Sequence, residues 1–146
     1  MKKRLQGDVY DYFKCYPLYS TIVCPRILLV DDEQDITSVL KTGLEKEGFE
    51  VTIFNKPEEA LSSFEKDYYN DIIIDIKMPD MDGFQLAREL WKVDANAKIC
   101  FLTAFEIYEE EAKKVFPSLN GYCFIKKPIR IEALANHIRS HLQEER

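Results

Sequence analysis

The chain has 146 residues, a formal net charge of −6, 46% hydrophobic and 32% charged residues, which suits one folded domain with a short appendage and excludes a disordered or fibrous chain. The negative charge argues against general nucleic-acid binding, which depends on Lys and Arg neutralising phosphates. No stretch approaches the roughly 20 apolar residues of a membrane span, and Asp8, Asp11 and Lys14 interrupt any signal-peptide core after Met1, Lys2, Lys3 and Arg4, so a cytoplasmic protein is expected.

Residues 1–25 hold Tyr10, Tyr12, Phe13, Tyr16 and Tyr19 without a clean period. They are read as an N-terminal extension of poor order, since termini fray unless tied down, and residues 26–146 as the folded domain. From Arg26 onward short apolar runs alternate with helical periods, the pattern of five βα units around a parallel sheet. Arg26 to Val30 is the first strand, and Ile36, Val39, Leu40 and Leu44 give the next helix one buried face, with Gly48 as its C-terminal cap. Phe49 to Phe54 is the second strand. Asn55, Pro57, Glu58 and Glu59 open a helix that turns Ala60, Leu61 and Phe64 inward. In the third strand, Asp71 to Ile76, the unbroken Ile72, Ile73, Ile74 calls for burial on both faces.

After Pro79 and the Asp82-Gly83 turn, Leu86, Ala87, Leu90 and Trp91 mark the third helix, and Lys98 to Thr103 the fourth strand. The fourth helix opens with Glu106, Glu109, Glu110 and Glu111 and closes with Lys113 and Lys114, complementing its dipole, before Pro117 stops it. Tyr122 to Ile125 is the fifth strand, and Ile131, Leu134, Ala135, Ile138 and Leu142 form the last helical stripe. Cys15, Cys24, Cys100 and Cys123 include no CxxC pair and have no His cluster nearby in sequence. Reduced, structural cysteines with no zinc are therefore expected.

In an open parallel sheet, ligands bind beyond the carboxyl ends of the strands, near the point where strand order reverses. Those ends carry Asp31 and Asp32 after the first strand, Asp75 near the end of the third, Thr103 after the fourth and Lys127 after the fifth. A sheet order of 2-1-3-4-5 makes the first and third strands neighbours, so three carboxylates converge. Two like charges about 4 Å apart repel by about 4 kcal/mol at an effective dielectric near 20. Lys127 offsets part of that, and an all-oxygen ligand set suits Mg²⁺ for the remainder.

On these residues the chain resembles the receiver domains of response regulators in two-component systems, over about Arg26 to Leu142. Asp31 and Asp32 match the family's acidic pair, and Asp75 in Asp75-Ile76-Lys77-Met78-Pro79-Asp80-Met81-Asp82-Gly83 matches its phospho-accepting aspartate. Thr103, in Leu102-Thr103-Ala104, matches the switch hydroxyl, Lys127-Pro128 the Lys-Pro pair, and Phe124 the position of the switching aromatic. The resemblance implies a flavodoxin-like (βα)5 three-layer sandwich. It also implies Mg²⁺ held by Asp31, Asp32, Asp75 and the backbone carbonyl of Lys77.

The implied activity is transfer of a phosphoryl group to Asp75 from a histidine kinase, a histidine phosphotransfer protein or a small donor, with the domain catalysing its own phosphorylation and dephosphorylation rather than acting as an ordinary enzyme. The output is a partner-binding surface around the fourth helix, fifth strand and fifth helix, open to an effector or a second copy, or onward relay of the phosphoryl group. Since the sequence given stops at Arg146, no output domain is expected within it, and neither nucleic acid nor membrane is an expected direct partner. A bulky Phe105, two residues after Thr103, suggests a slowly decaying phosphoryl group. An aspartate-nucleophile phosphatase would need an acid where Lys77 stands, and a receiver working only as an interaction module would not need the full set of site residues.

Overall fold

Alternation along the strands decides the layering. In the computed structural model, which describes residues 16–18, 21–104, 107–115 and 122–144, the main sheet contains β3 (Arg26–Val30), β4 (Glu50–Phe54), β5 (Asp71–Asp75), β6 (Ile99–Thr103) and β7 (Tyr122–Lys126). They run parallel in the order β4-β3-β5-β6-β7, the expected 2-1-3-4-5 arrangement of a flavodoxin-like fold. Helices α1 (Gln34–Lys46), α2 (Pro57–Ser63), α3 (Gly83–Val93), α4 (Ile107–Val115) and α5 (Ile131–Glu144) connect and follow the strands.

Leu28, Val30, Ile72, Ile74, Ile99 and Phe101 point to one side, where they meet Ala60 of α2, Leu86, Leu90 and Trp91 of α3, and Ala112 of α4. Ile27, Leu29, Ile73, Cys100, Leu102 and Ile125 point to the other, against Leu40 and Leu44 of α1 and Leu134, Ala135 and Ile138 of α5. The Ile72-Ile73-Ile74 run therefore feeds both cores, and each of these side chains is no more than 1% exposed. Burial of an Ile side chain stabilises by roughly 1.5–3 kcal/mol. Such a strand cannot be moved to an edge without losing several such terms.

Local signals set the element ends. Gly48 has φ 102°, the left-handed geometry a helix C-terminus favours and a side chain resists, and its N–H donates to Glu45 O at 3.1 Å. Phe49 donates back to Leu44 O, so the second strand begins one residue later than the sequence suggested. At the start of α3, Asp82 accepts from the Gln85 N–H at 2.9 Å while the Gln85 side chain accepts from the Asp82 N–H, a reciprocal capping box. Arg130, just before α5, is exposed and faces Glu132 Oε1 at 3.9 Å.

Within the extension, β1 (Tyr16–Leu18) and β2 (Thr21–Val23) form an antiparallel pair apart from the main sheet. Residues 1–15, Phe105 and Pro117 lie outside the described residues.

The cysteine expectation needs correcting. Register pairs Cys100 directly with Cys123 on neighbouring parallel strands, and the two form a disulfide with Cα atoms 4.5 Å apart, a separation that such a bridge accommodates. Cys24 is also disulfide-bonded. Contrary to the absence of histidines in nearby sequence, α5 lays His137 and His141 over the Cys100–Cys123 pair.

Candidate functional site

Four of the five strands of the main sheet each deliver a polar group to the same rim. Asp31 follows β3, Asp75 closes β5, Thr103 closes β6, and Lys127 follows β7. Asp31 is 0% exposed, Thr103 4% and Asp75 6%, so these are polar groups withdrawn from water, where a missing partner is expensive. Lys127 supplies one: its Nζ lies 2.7 Å from Asp75 Oδ1 and 3.3 Å from Asp31 Oδ2. The Lys127-Pro128 peptide is cis.

Further contacts hold Asp31. Its Oδ1 accepts from the Glu33 N–H at 3.1 Å, and its main-chain carbonyl accepts from Asn55 Nδ2 at 2.8 Å. The Asn55 amide also donates to Oγ1 of the wholly buried Thr37 at 3.0 Å. The sequence places Asn55 at a helix start; α2 instead starts after Lys56 with no side-chain cap, and the Asn55 amide is spent on the rim. Its position right after the second strand was the available signal. Asp75 is fixed from its main chain as well, because Gly83 packs on it. A Cβ at Gly83 would fall 2.5 Å from Asp75 O and 2.8 Å from Ile76 Cα.

The result is a cleft of about 260 Å³ lined by Asp32, Glu33, Asp75, Ile76, Lys77, Leu102, Thr103, Ala104 and Lys127. One oxygen from each of Asp31, Asp32 and Asp75 falls within 4.8 Å of the others. Burial, together with the neighbouring charges of Asp31 and Asp32, pushes the Asp75 carboxyl up to about 6 despite Lys127. Burial also raises Asp31 above the ordinary carboxylate range. Burial alone would lower Lys127, but its contacts with Asp75 and Asp31 outweigh that and hold it above the usual lysine range. Three crowded carboxylates around one ammonium leave negative charge uncompensated. An all-oxygen donor set of this kind fits a hard divalent cation such as Mg²⁺.

All the predicted rim residues therefore come together, with Lys77 at the cleft edge. Phe124 lies further down β7, half-buried, its ring 5.5 Å from that of its cross-strand neighbour Phe101. Phe101 in turn meets Phe84 edge-on at 5.0 Å. Because side chains alternate along β6, Phe101 and Thr103 share the face on which Phe124 packs.

Residues 27–139 match the family described as the response regulator receiver domain. The response regulator receiver protein CpdR of Brucella abortus is 32% identical over 80% of this chain and 96% of its own length. The uncharacterized transcriptional regulatory protein YkoG of Bacillus subtilis is 32% identical over 82% of this chain. The chain spans about half the length of YkoG, 51%. A CheY-like receiver domain protein from Methanospirillum hungatei superposes with a TM-score of 0.74 at 31% identity, covering 84% of this chain and 97% of that one. Strand order, converging rim and sequence similarity agree, and the chain belongs to the response regulator receiver domain family.

Proposed function

We propose that Asp75 is the phosphoacceptor, taking a phosphoryl group in a Mg²⁺-dependent reaction from a phosphohistidine on a histidine kinase or phosphotransfer protein, or from a small acyl phosphate. The carrying observation is the Lys127 ammonium lying between Asp75 and Asp31 at the mouth of a cleft where three carboxylates meet. An Asp75 oxygen attacks phosphorus in line; the P–N bond to the donor imidazole breaks, and the imidazole leaves as a neutral ring after taking up a proton. Asp31, Asp32, Asp75 and the Lys77 carbonyl would hold Mg²⁺. When bound, that ion supplies charge compensation for the transferring phosphoryl oxygens.

Lys127 is already placed where phosphoryl oxygens gather charge, and a preorganised donor of that sort lowers the barrier without reorganising. Once the group is on Asp75, the Thr103 hydroxyl donates to one of its oxygens, and Phe124 follows toward the space Thr103 leaves. That pair of movements biases the surface formed by α4, β7 and α5 toward partner binding. Whether the partner is an effector or the next protein of a relay is answered by what binds the phosphorylated form.

The test is incubation with Mg²⁺ and acetyl phosphate followed by intact mass measurement. One phosphoryl addition is expected in the wild type, with none in Asp75→Asn and none when EDTA replaces Mg²⁺. Equal labelling of the wild type and Asp75→Asn would place the acceptor elsewhere.

A further inference from the structure

The other end of the same sheet carries a second cluster that the phosphoryl chemistry does not use. Cys100 and Cys123 are adjacent on β6 and β7, and His137 and His141, four residues apart, lie on one face of α5. Cys123 Sγ is 3.1 Å from His137 Nε2, and Cys100 Sγ is 3.5 Å from that same atom and 3.7 Å from His141 Nδ1. One ligating atom from each of the four lies within 4.8 Å of the others. Around a tetrahedral Zn²⁺, with Zn–S about 2.3 Å and Zn–N about 2.0–2.1 Å, sulfur and nitrogen ligands sit about 3.5 Å apart. The observed spacings bracket that value. The wholly buried Asp71 meets His141 Nδ1 through Oδ2 at 3.1 Å, so in the bridged form a carboxylate holds the same nitrogen that faces Cys100.

We infer that, once the Cys100–Cys123 disulfide is reduced, Cys100, Cys123, His137 and His141 form a tetrahedral site for Zn²⁺ or a similar thiophilic divalent cation. The structure holds the oxidised, bridged form. A dithiol reductant cleaves the S–S bond to two thiols and is itself oxidised to a cyclic disulfide. The metal then displaces one proton from each thiol, so two thiolates neutralise its charge. Freed sulfurs can separate to the roughly 3.8 Å edge of a zinc tetrahedron. Bridge and metal are thus mutually exclusive: the bridge joins β6 to β7, whereas the metal would join α5 to both as well.

The site is independent of the acidic rim. Cys100 lies three positions before Thr103 on β6, about 10 Å along the strand, and its side chain projects to the opposite face. Hard oxygen ligands at the rim and soft sulfur ligands here select different ions.

Cobalt distinguishes them, because only a sulfur-bound Co²⁺ gives thiolate-to-metal absorption in the near ultraviolet. The full chain, reduced with dithiothreitol and freed of it anaerobically, should gain that absorption and the visible bands of tetrahedral Co²⁺ up to one equivalent. An equivalent of Zn²⁺ should then bleach both. Cys123→Ser and His137→Gln, at half-buried positions, should each weaken Co²⁺ binding more than tenfold with unchanged far-ultraviolet circular dichroism. If one variant unfolds, the other and the wild-type titration carry the test. Reduced wild type without thiolate–cobalt absorption overturns the inference, as does wild-type affinity in a folded Cys123→Ser or His137→Gln protein.

Discussion

Gly83→Ala isolates the contact that seats the start of α3 on the end of β5. An Ala is normally better than Gly in a helix by up to about 1 kcal/mol, so helix propensity alone predicts a more stable protein. The structure predicts the reverse. The new Cβ would sit 2.5 Å from Asp75 O and 2.8 Å from Ile76 Cα, backbone atoms at and just beyond the end of β5. To reach an ordinary contact, α3 must back away by about 1 Å, loosening Leu86, Leu90 and Trp91 from the core; overpacking of this kind costs about 1–3 kcal/mol.

The net loss expected is about 1–2 kcal/mol, equivalent to roughly 3–12 °C in Tm for a domain of this size. Gly43→Ala is the internal comparison. There the three atoms nearest the new Cβ all belong to the Ile131 side chain, Cδ1 at 2.6 Å, Cγ1 at 2.7 Å and Cγ2 at 3.0 Å; a side chain yields more readily than sheet-end backbone, so the helix gain offsets more of the clash and the loss should be smaller. Thermal melts followed by circular dichroism, with urea titrations at 25 °C, give both values. If Gly83→Ala melts at or above the wild-type temperature, or loses less than Gly43→Ala, the close approach to Asp75 is not what fixes α3.

Lys127→Ala should slow labelling of Asp75 by acetyl phosphate by about 10²–10³, the usual effect of removing one preorganised donor, while Asp75 remains the labelled residue; time-resolved intact mass gives the rate, and a change below fivefold would contradict the role given to its ammonium. Asn55→Ala removes the donor to both Asp31 O and Thr37 Oγ1, acceptors on two buried residues, and should lower stability by about 1–3 kcal/mol in urea unfolding. Its labelling rate should fall as well, because the loop carrying Asp31 loses its tether; an unchanged rate would make Asn55 purely structural.

How far the sequence could be read depended on whether a contact is set by position along one element or by the pairing of two. Asp31, Asp75, Thr103 and Lys127 follow directly from where apolar runs end, since a parallel sheet brings strand ends to one rim whatever the register details. The Ile72-Ile73-Ile74 run likewise announced a central strand. By contrast, Cys100 and Cys123 meet only because β6 and β7 align Ile99 with Tyr122; a shift of one residue would turn one of them to the opposite face. Nothing local in either strand specifies that offset. The His137 and His141 spacing was visible as a helical i, i+4 pair, but its partners come from strands 14 and 37 residues away in sequence. Gly83 read as a turn residue, and its closeness to Asp75 emerges only when α3 is packed down.

β5 is buried along its entire length, clasped between β3 and β6. Asp75 therefore sits on an anvil: under the proposed function, the strand that carries it would have no room to recoil when a bulky dianion is attached. Under the proposed function a donor would come over the rim, and whatever yields afterwards would be a neighbour of Asp75 rather than Asp75 itself. A fixed point of attachment would make the displacement of its surroundings the message, with the same origin in every cycle.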